Sequence, residues 1–262
     1  MSTVNFAVAD SVTLLRRNVK NQLRYPTTTI SIIGIPVLFL LLFVYVFGGV
    51  LGTGVGPSGG RAEYVNYVLP GLIIMTAATG MLGTAVSTSV DMTEGIIARF
   101  KTMAIFRPSI LIARVISSVV QTLASMAFVF AVAWLMGFEP SASPVEWLAA
   151  LGLLAGISFA LTWLGVAFGL AAKTLDAASN APFPLILLPF VGSGVVPTDT
   201  MPTGLRWFAE YQPFTPVIET LRGLLMGTEI GNSGWIATAW ILAIAILGFF
   251  WAMAHFNKDR TH

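Results

Sequence analysis

The sequence contains no cysteine, which excludes a disulfide framework, a thiol nucleophile and a thiolate metal site and leaves the redox compartment undetermined. Histidine is nearly as scarce: His255 and His262 are the two present, and they cannot build a zinc site alone. Charged residues make up only 10% of the 262, against about 25% in ordinary globular proteins, while 56% are hydrophobic. Lipid is the solvent for such a chain. No charged tail or Pro/Ser-rich linker sets off a soluble module, so residues 1–262 read as a single membrane domain without an extramembrane catalytic part. The pI near 9.1 does not point to nucleic acid, because the basic residues lie in short clusters between apolar runs rather than on one face.

Two further absences bear on chemistry. Each of the four lysines follows a residue other than glycine (Val19, Phe100, Ala172, Asn257), so the chain has no P-loop and ATP hydrolysis by that motif is excluded. Gly56-Pro57-Ser58-Gly59-Gly60 matches the nucleophile-elbow pattern but lies in a glycine-rich loop without a strand-to-helix turn or a nearby histidine. Apart from boundary residues such as Arg114 and His255, the apolar runs hold almost no ionisable group, whereas proton-coupled carriers need intramembrane relays. A stand-alone ion-driven carrier or membrane enzyme is therefore disfavoured, and driving energy is expected from outside this chain.

What is present is organised by hydropathy. Stretches of about 20 apolar residues occur at Ile30–Val50, Tyr64–Val90, Ile110–Met136, Trp147–Ala172, Ala177–Pro197 and Trp235–Phe256, which predicts an all-α polytopic membrane protein with six transmembrane helices. The first run begins late and follows a charged segment, so no cleavable signal is expected. With six spans both termini share one side. That side holds eleven of the 14 basic residues, leaving Arg61, Arg206 and Arg222 opposite, and the positive-inside rule makes it cytoplasmic.

Between and before the spans, three segments have their own pattern. Over residues 8–25, Val8, Val12, Leu15, Val19 and Leu23 recur at helical intervals beside Arg16, Lys20 and Arg24. This predicts an interfacial amphipathic helix near anionic headgroups, either a topology anchor or a partner contact. In the cytoplasmic segment 91–103, Asp91 can cap a helix with Glu94 at the capping-box position. Met92, Ile96, Ile97 and Phe100 then face either a partner groove or solvent. The segment 198–233 is too apolar for a free loop: Leu205, Trp207 and Phe208 precede Tyr211, Thr215-Pro216 reads as a helix start, and Val217, Leu221, Leu224 and Leu225 share a face up to Gly227. Two short helices dipping into the outer leaflet are expected there.

Inside the spans, Gly152/Gly156 and Gly165/Gly169 lie on opposite faces of the fourth run, at about 100° per residue, and allow close approach to two neighbours, within one chain or between chains. Pro182, Pro184 and Pro189 predict a bent fifth span surrounded by protein.

These residues also resemble a known family. Tyr67-Val68-Leu69-Pro70-Gly71, Asp91-Met92-Thr93-Glu94-Gly95 with Arg99-Phe100-Lys101 and Arg107-Pro108, and Pro213-Phe214-Thr215-Pro216 with Leu221-Arg222-Gly223 make the chain similar to permease subunits of type-2 ABC exporters, in particular the daunorubicin/doxorubicin-resistance group. The resemblance implies that the chain binds no cofactor itself. It implies a homodimer in the inner membrane, with ATP and Mg bound by two copies of a separate ABC ATPase. The helix from Asp91 through Met92, Glu94, Gly95, Ile96, Ile97, Arg99 and Phe100 would couple that ATPase to the membrane. Amphiphilic drugs or lipid-like compounds are the expected cargo, an endogenous glycolipid or glycan the alternative. Phe39, Phe43, Thr76, Thr79, Phe183 and Phe190 are the nominated pathway residues, although core packing explains any one of them more readily.

Overall fold

The structure, a computed structural model, describes residues 26–52, 60–94 and 107–257; the 8–25 stretch and Gly95, Ile96, Ile97, Arg99 and Phe100 fall outside them. Every regular element among the described residues is helical, as expected where backbone groups must satisfy each other in lipid. The first span is α1 (Pro26–Leu41), a π-helical turn (Leu42–Phe47) and the short α2 (Gly48–Leu51). It is followed by α3 (Arg61–Thr93), α4 (Arg107–Leu135) and α5 (Pro144–Ala171). The C-terminal part comprises α6 (Leu175–Asn180), α7 (Phe183–Val191), α8 (Thr203–Tyr211), α9 (Phe214–Met226) and α10 (Ser233–Asn257).

Five stretches are long and apolar enough to cross a membrane: Ile33–Val50, Glu63–Thr93, Leu111–Leu135, Pro144–Ala171 and Ser233–Asn257. They coincide with five of the six runs read from hydropathy. The remaining run, 177–197, differs from the single bent helix expected of it. Thr174 accepts a hydrogen bond from the Ala177 amide and starts α6, the helix stops at Ala181, and Pro182 opens a separate α7. The physical reason is local: Pro182 and Pro184 lack the amides that would continue the ladder from α6. Beyond Val191 the chain leaves the helix at Gly192.

The post around which the bundle forms is α3. Its 33 residues extend about 50 Å at 1.5 Å per residue, more than the roughly 30 Å of a bilayer core. Tyr64, Val68, Leu72, Ile73, Ala78, Met81 and Ala85 along it are buried. Its threonine side chains are accommodated by bonding back one turn, Thr76 to the Leu72 carbonyl, Thr79 to Met75, Thr84 to Gly80 and Thr88 to Thr84, so none of these four hydroxyls dangles in the core.

Apolar burial supplies little attraction between helices already in lipid, so close van der Waals packing at small residues does the joining. A Cβ at Gly165 would stand 2.5 Å from the Met81 carbonyl oxygen and one at Gly169 2.5 Å from that of Ala85, both on α3. On another face of α5, Gly156 meets Ile241 of α10, whose own Gly248 lies against Trp163 and Leu164; Gly152 faces open space. One helix thus packs against two neighbours within the chain, as its glycine spacing predicts. The start of α5 carries a capping box: the Ser143 amide donates to Glu146 Oε2 at 2.6 Å and the Glu146 amide to Ser143 Oγ at 3.4 Å.

Residues 198–233 hold a 3-10 turn (Thr198–Thr200) and two α-helices, α8 and α9. The second begins at Phe214 rather than at Thr215-Pro216 and ends at Met226, where Gly227 takes the left-handed conformation with φ +67 that closes many helices. Most of α9 is buried in the bundle, while α8 lies at the rim with Leu205, Trp207, Phe208 and Tyr211 exposed.

Candidate functional site

Three places concentrate side chains that packing alone does not demand. The first joins α1 to α7. Phe39 and Phe43 stack with ring centroids 5.9 Å apart, and Phe190 meets both, at 5.2 Å and 6.0 Å; Phe47 extends the row at 6.0 Å from Phe43. Aromatic pairs of this geometry contribute about 0.5–1.5 kcal/mol each beyond burial. Three of the nominated pathway residues, Phe39, Phe43 and Phe190, therefore come together. The other three do not join them: Phe183 is half exposed at the opposite end of α7, and Thr76 and Thr79 are buried with their hydroxyls spent on their own helix.

The second place is the Asp91 end of the bundle. The α3 helix runs through Asp91 and Met92 to Thr93, with Glu94 as its C-cap. Asp91 therefore does not precede the first turn of a helix, which corrects the capping role read from its spacing to Glu94. Its carboxylate pairs instead with Arg114 of α4, whose Nη1 also donates to Ser87 Oγ at 2.8 Å. A carboxylate in the last turn opposes the helix dipole, and the guanidinium offsets that cost while tying the end of α3 to the beginning of α4.

The third place, at the Tyr64 end, was not singled out from sequence as a site. Arg222 of α9 is half-buried; its Nη2 donates to the Ser193 carbonyl at 2.6 Å and to the Tyr67 carbonyl at 3.2 Å, and its guanidinium carbon lies 3.9 Å from the Tyr67 ring centroid. Beside it, Gln212 Nε2 donates to the Leu188 carbonyl at 2.8 Å and to Thr215 Oγ1 at 3.2 Å, and the Ser193 amide donates to Thr215 Oγ1 at 3.4 Å. Gly71 and Gly194 touch backbone to backbone, since a Cβ on Gly71 would stand 2.5 Å from Gly194 Cα. The Tyr64 hydroxyl donates to the Val195 carbonyl at 3.3 Å. Among the described residues, the buried Ser193 Oγ and Gln212 Oε1 find no protein partner. The signal in sequence was the pair of motifs Tyr67–Gly71 and Leu221–Gly223, which this seam brings together. Tyr67 supplies a ring and a carbonyl, Gly71 permits contact, and Arg222 binds across.

At the rim, the Arg206 Nε donates to Glu210 at 2.7 Å and Nη2 pairs with Asp199 at 2.8 Å. The Glu210 hydrogen bond, with both carboxylates, holds the guanidinium above its ordinary pKa. The pair is exposed and contributes little to stability.

A bundle of apolar helices, five of them long enough to cross a membrane, with one interrupted apolar segment and a pair of short helices folded against its end, is that of a polytopic membrane protein. The chain belongs to the ABC-2 type transporter family, whose model matches residues 10–226, and it is a type-2 ABC permease. It is 25% identical over 224 residues to the daunorubicin resistance ABC transporter permease protein DrrB1 of Streptomyces coeruleorubidus, covering 85% of this chain and 77% of that one. It is also 23% identical over 261 residues to the probable doxorubicin resistance ABC transporter permease protein DrrC of Mycobacterium tuberculosis (strain CDC 1551 / Oshkosh), covering 97% of this chain and 91% of that one.

Proposed function

We propose that this chain is the membrane half of an ATP-driven exporter of amphiphilic compounds, working as two copies with an ABC ATPase that binds ATP and Mg. The carrying observation is the match over most of the chain to permeases named for daunorubicin and doxorubicin resistance. The aromatic row Phe39, Phe43 and Phe190 between the first span and α7 supports greasy cargo, and the exposed Leu38, Val46 and Leu187 on the same two elements are open to a second copy or lipid. Co-expression with its ATPase tests the reading. The ATPase should co-purify, and planar amphiphiles should stimulate hydrolysis several-fold in reconstituted vesicles. A chain that retains no ATPase in native-like membranes would sink the reading.

A sixth crossing by 175–197 fits the packing. The segment leaves α5 just past Gly169, which lies beside Ala85 and Thr88 near one end of α3, and reaches Val195 beside Tyr64 at the other. It thus runs alongside 21 residues of α3 or about 32 Å, close to a bilayer core. With eleven basic residues on the Asp91 side, that end faces the cytoplasm, in the inner membrane with both termini inside, and α8 and α9 dip into the outer leaflet. The cytoplasmic segment 91–103, which begins at Asp91, Met92 and Glu94, would then meet the ATPase. The absence of native cysteine makes the orientation simple to check. Ser58→Cys should react with an impermeant maleimide on intact cells, and Thr102→Cys only after permeabilisation. The reverse labelling would invert the topology.

A further inference from the structure

We propose that the polar seam at the Tyr64 end is the outer latch of the export path, with Arg222 as its positioning residue: Ser193 must leave Arg222 and Thr215 each time cargo passes. The proposal rests on the export reading above and deepens it.

Three observations separate a latch from a fixed strut. The segment it holds is built to rehinge, because Pro189 interrupts the ladder of α7 and Ser193 stands between Gly192 and Gly194, just past the end of that helix. Second, the bond is made without an ion pair. Among the described residues no carboxylate lies within ion-pair distance of Arg222, and its donors go to the neutral carbonyls of Ser193 and Tyr67. Neutral acceptors hold a guanidinium less tightly than carboxylates do, so the contact can part without exposing a bare counter-charge. Third, the closed arrangement is incompletely satisfied: among the described residues, the buried Ser193 Oγ and Gln212 Oε1 find no protein partner. Water admitted from outside would hydrate both, so opening recovers hydrogen bonds that closure forfeits. Strong closing contacts set against groups that gain by opening give a two-state element, which is what a gate requires.

The geometry also says which part moves. Arg222 keeps its second carbonyl and the ring of Tyr67 on α3, so α9 stays with the central post. The 192–194 turn is the piece that departs, carrying the end of α7 and, three residues back, Phe190 of the aromatic row.

The test uses the full chain in complex with its ATPase, in vesicles. The Ser193 amide and the Thr215 hydroxyl are 3.4 Å apart, so Ser193→Cys with Thr215→Cys places two thiols across the latch. In the nucleotide-free complex the pair should oxidise to a disulfide, cutting export at least tenfold while the ATPase stays bound, and reductant should restore it. Equal export in the oxidised and reduced states, or no cross-link in the resting complex, overturns the latch. Export by the unsubstituted chain in the same vesicles decides the export reading separately. Arg222→Lys and Arg222→Met add a second arm. Lysine should recover part of the cargo-stimulated hydrolysis that methionine loses, whereas equal loss in the two would remove the cation from the mechanism.

Discussion

Gly71→Ala is expected to lower the unfolding midpoint clearly, although it adds a single methyl group. The new Cβ would lie 2.5 Å from Gly194 Cα and 2.5 Å from its carbonyl oxygen, and both are backbone atoms that cannot swing aside. Relief would require α3 and the 192–194 turn to separate, breaking the Arg222 and Tyr64 bonds that cross the same seam. Overpacking of this kind costs about 1–3 kcal/mol and more where backbone must move. Gly152→Ala is the built-in comparison, because nothing lies within 4 Å of its Cβ position. In mid-helix that change should be neutral or stabilising by about 0.5–1 kcal/mol. Thermal unfolding of the two variants in the same detergent reads the difference directly, and equal midpoints would refute the contact between Gly71 and Gly194.

Asp91→Ala should weaken coupling between the two halves of the transporter more than it weakens the fold. Its carboxylate pairs with Arg114 at side-chain exposures of 23% and 18%, which puts the pair between surface bridges and fully buried ones. A loss of about 1–3 kcal/mol is expected on that scale. The pair ties the last turn of α3 to α4, so its removal loosens that junction while leaving the bundle intact. Cargo-stimulated ATP hydrolysis should fall several-fold with ATPase association retained. The exchange Asp91→Arg with Arg114→Asp keeps the pair and puts a cation at the end of α3, which the helix dipole favours. It should restore most of the stimulation. Identical deficits in the single and exchanged variants would mean that the pair does not act as one.

Hydropathy and small-residue spacing made five spans, the two faces of α5 and the pair of helices after residue 197 legible, because each is a local periodic signal. The features that stayed hidden depend on distant partners. Asp91 and Glu94 carry a capping-box spacing, yet the apolar run before them continues as helix and Arg114, 23 residues on, takes the carboxylate. Arg222 counted as an outward charge, but its acceptors come from positions 67 and 193. Phe183 and Phe190 share a helical face, seven residues apart, but stand about 10 Å apart along the axis, so only one of them reaches Phe39 and Phe43. The three prolines of the fifth run signalled a distortion without saying whether it bends or breaks.

The π-helical turn Leu42–Phe47 sets the phase of the first span. In a regular α-helix, residues four apart rotate by about 40° per step, so Phe39, Phe43 and Phe47 would fan out over about 80°. A π turn carries one residue more per hydrogen-bonded ring, and it draws the three rings back into a row with centroids 5.9 Å and 6.0 Å apart. Deleting one residue within Leu42–Phe47 would let the turn close as regular α-helix, in which Phe39 and Phe47, then seven positions apart, lie about 20° from each other. The middle of this helix therefore holds one residue of slack, which the span could lose with its two ends still in phase.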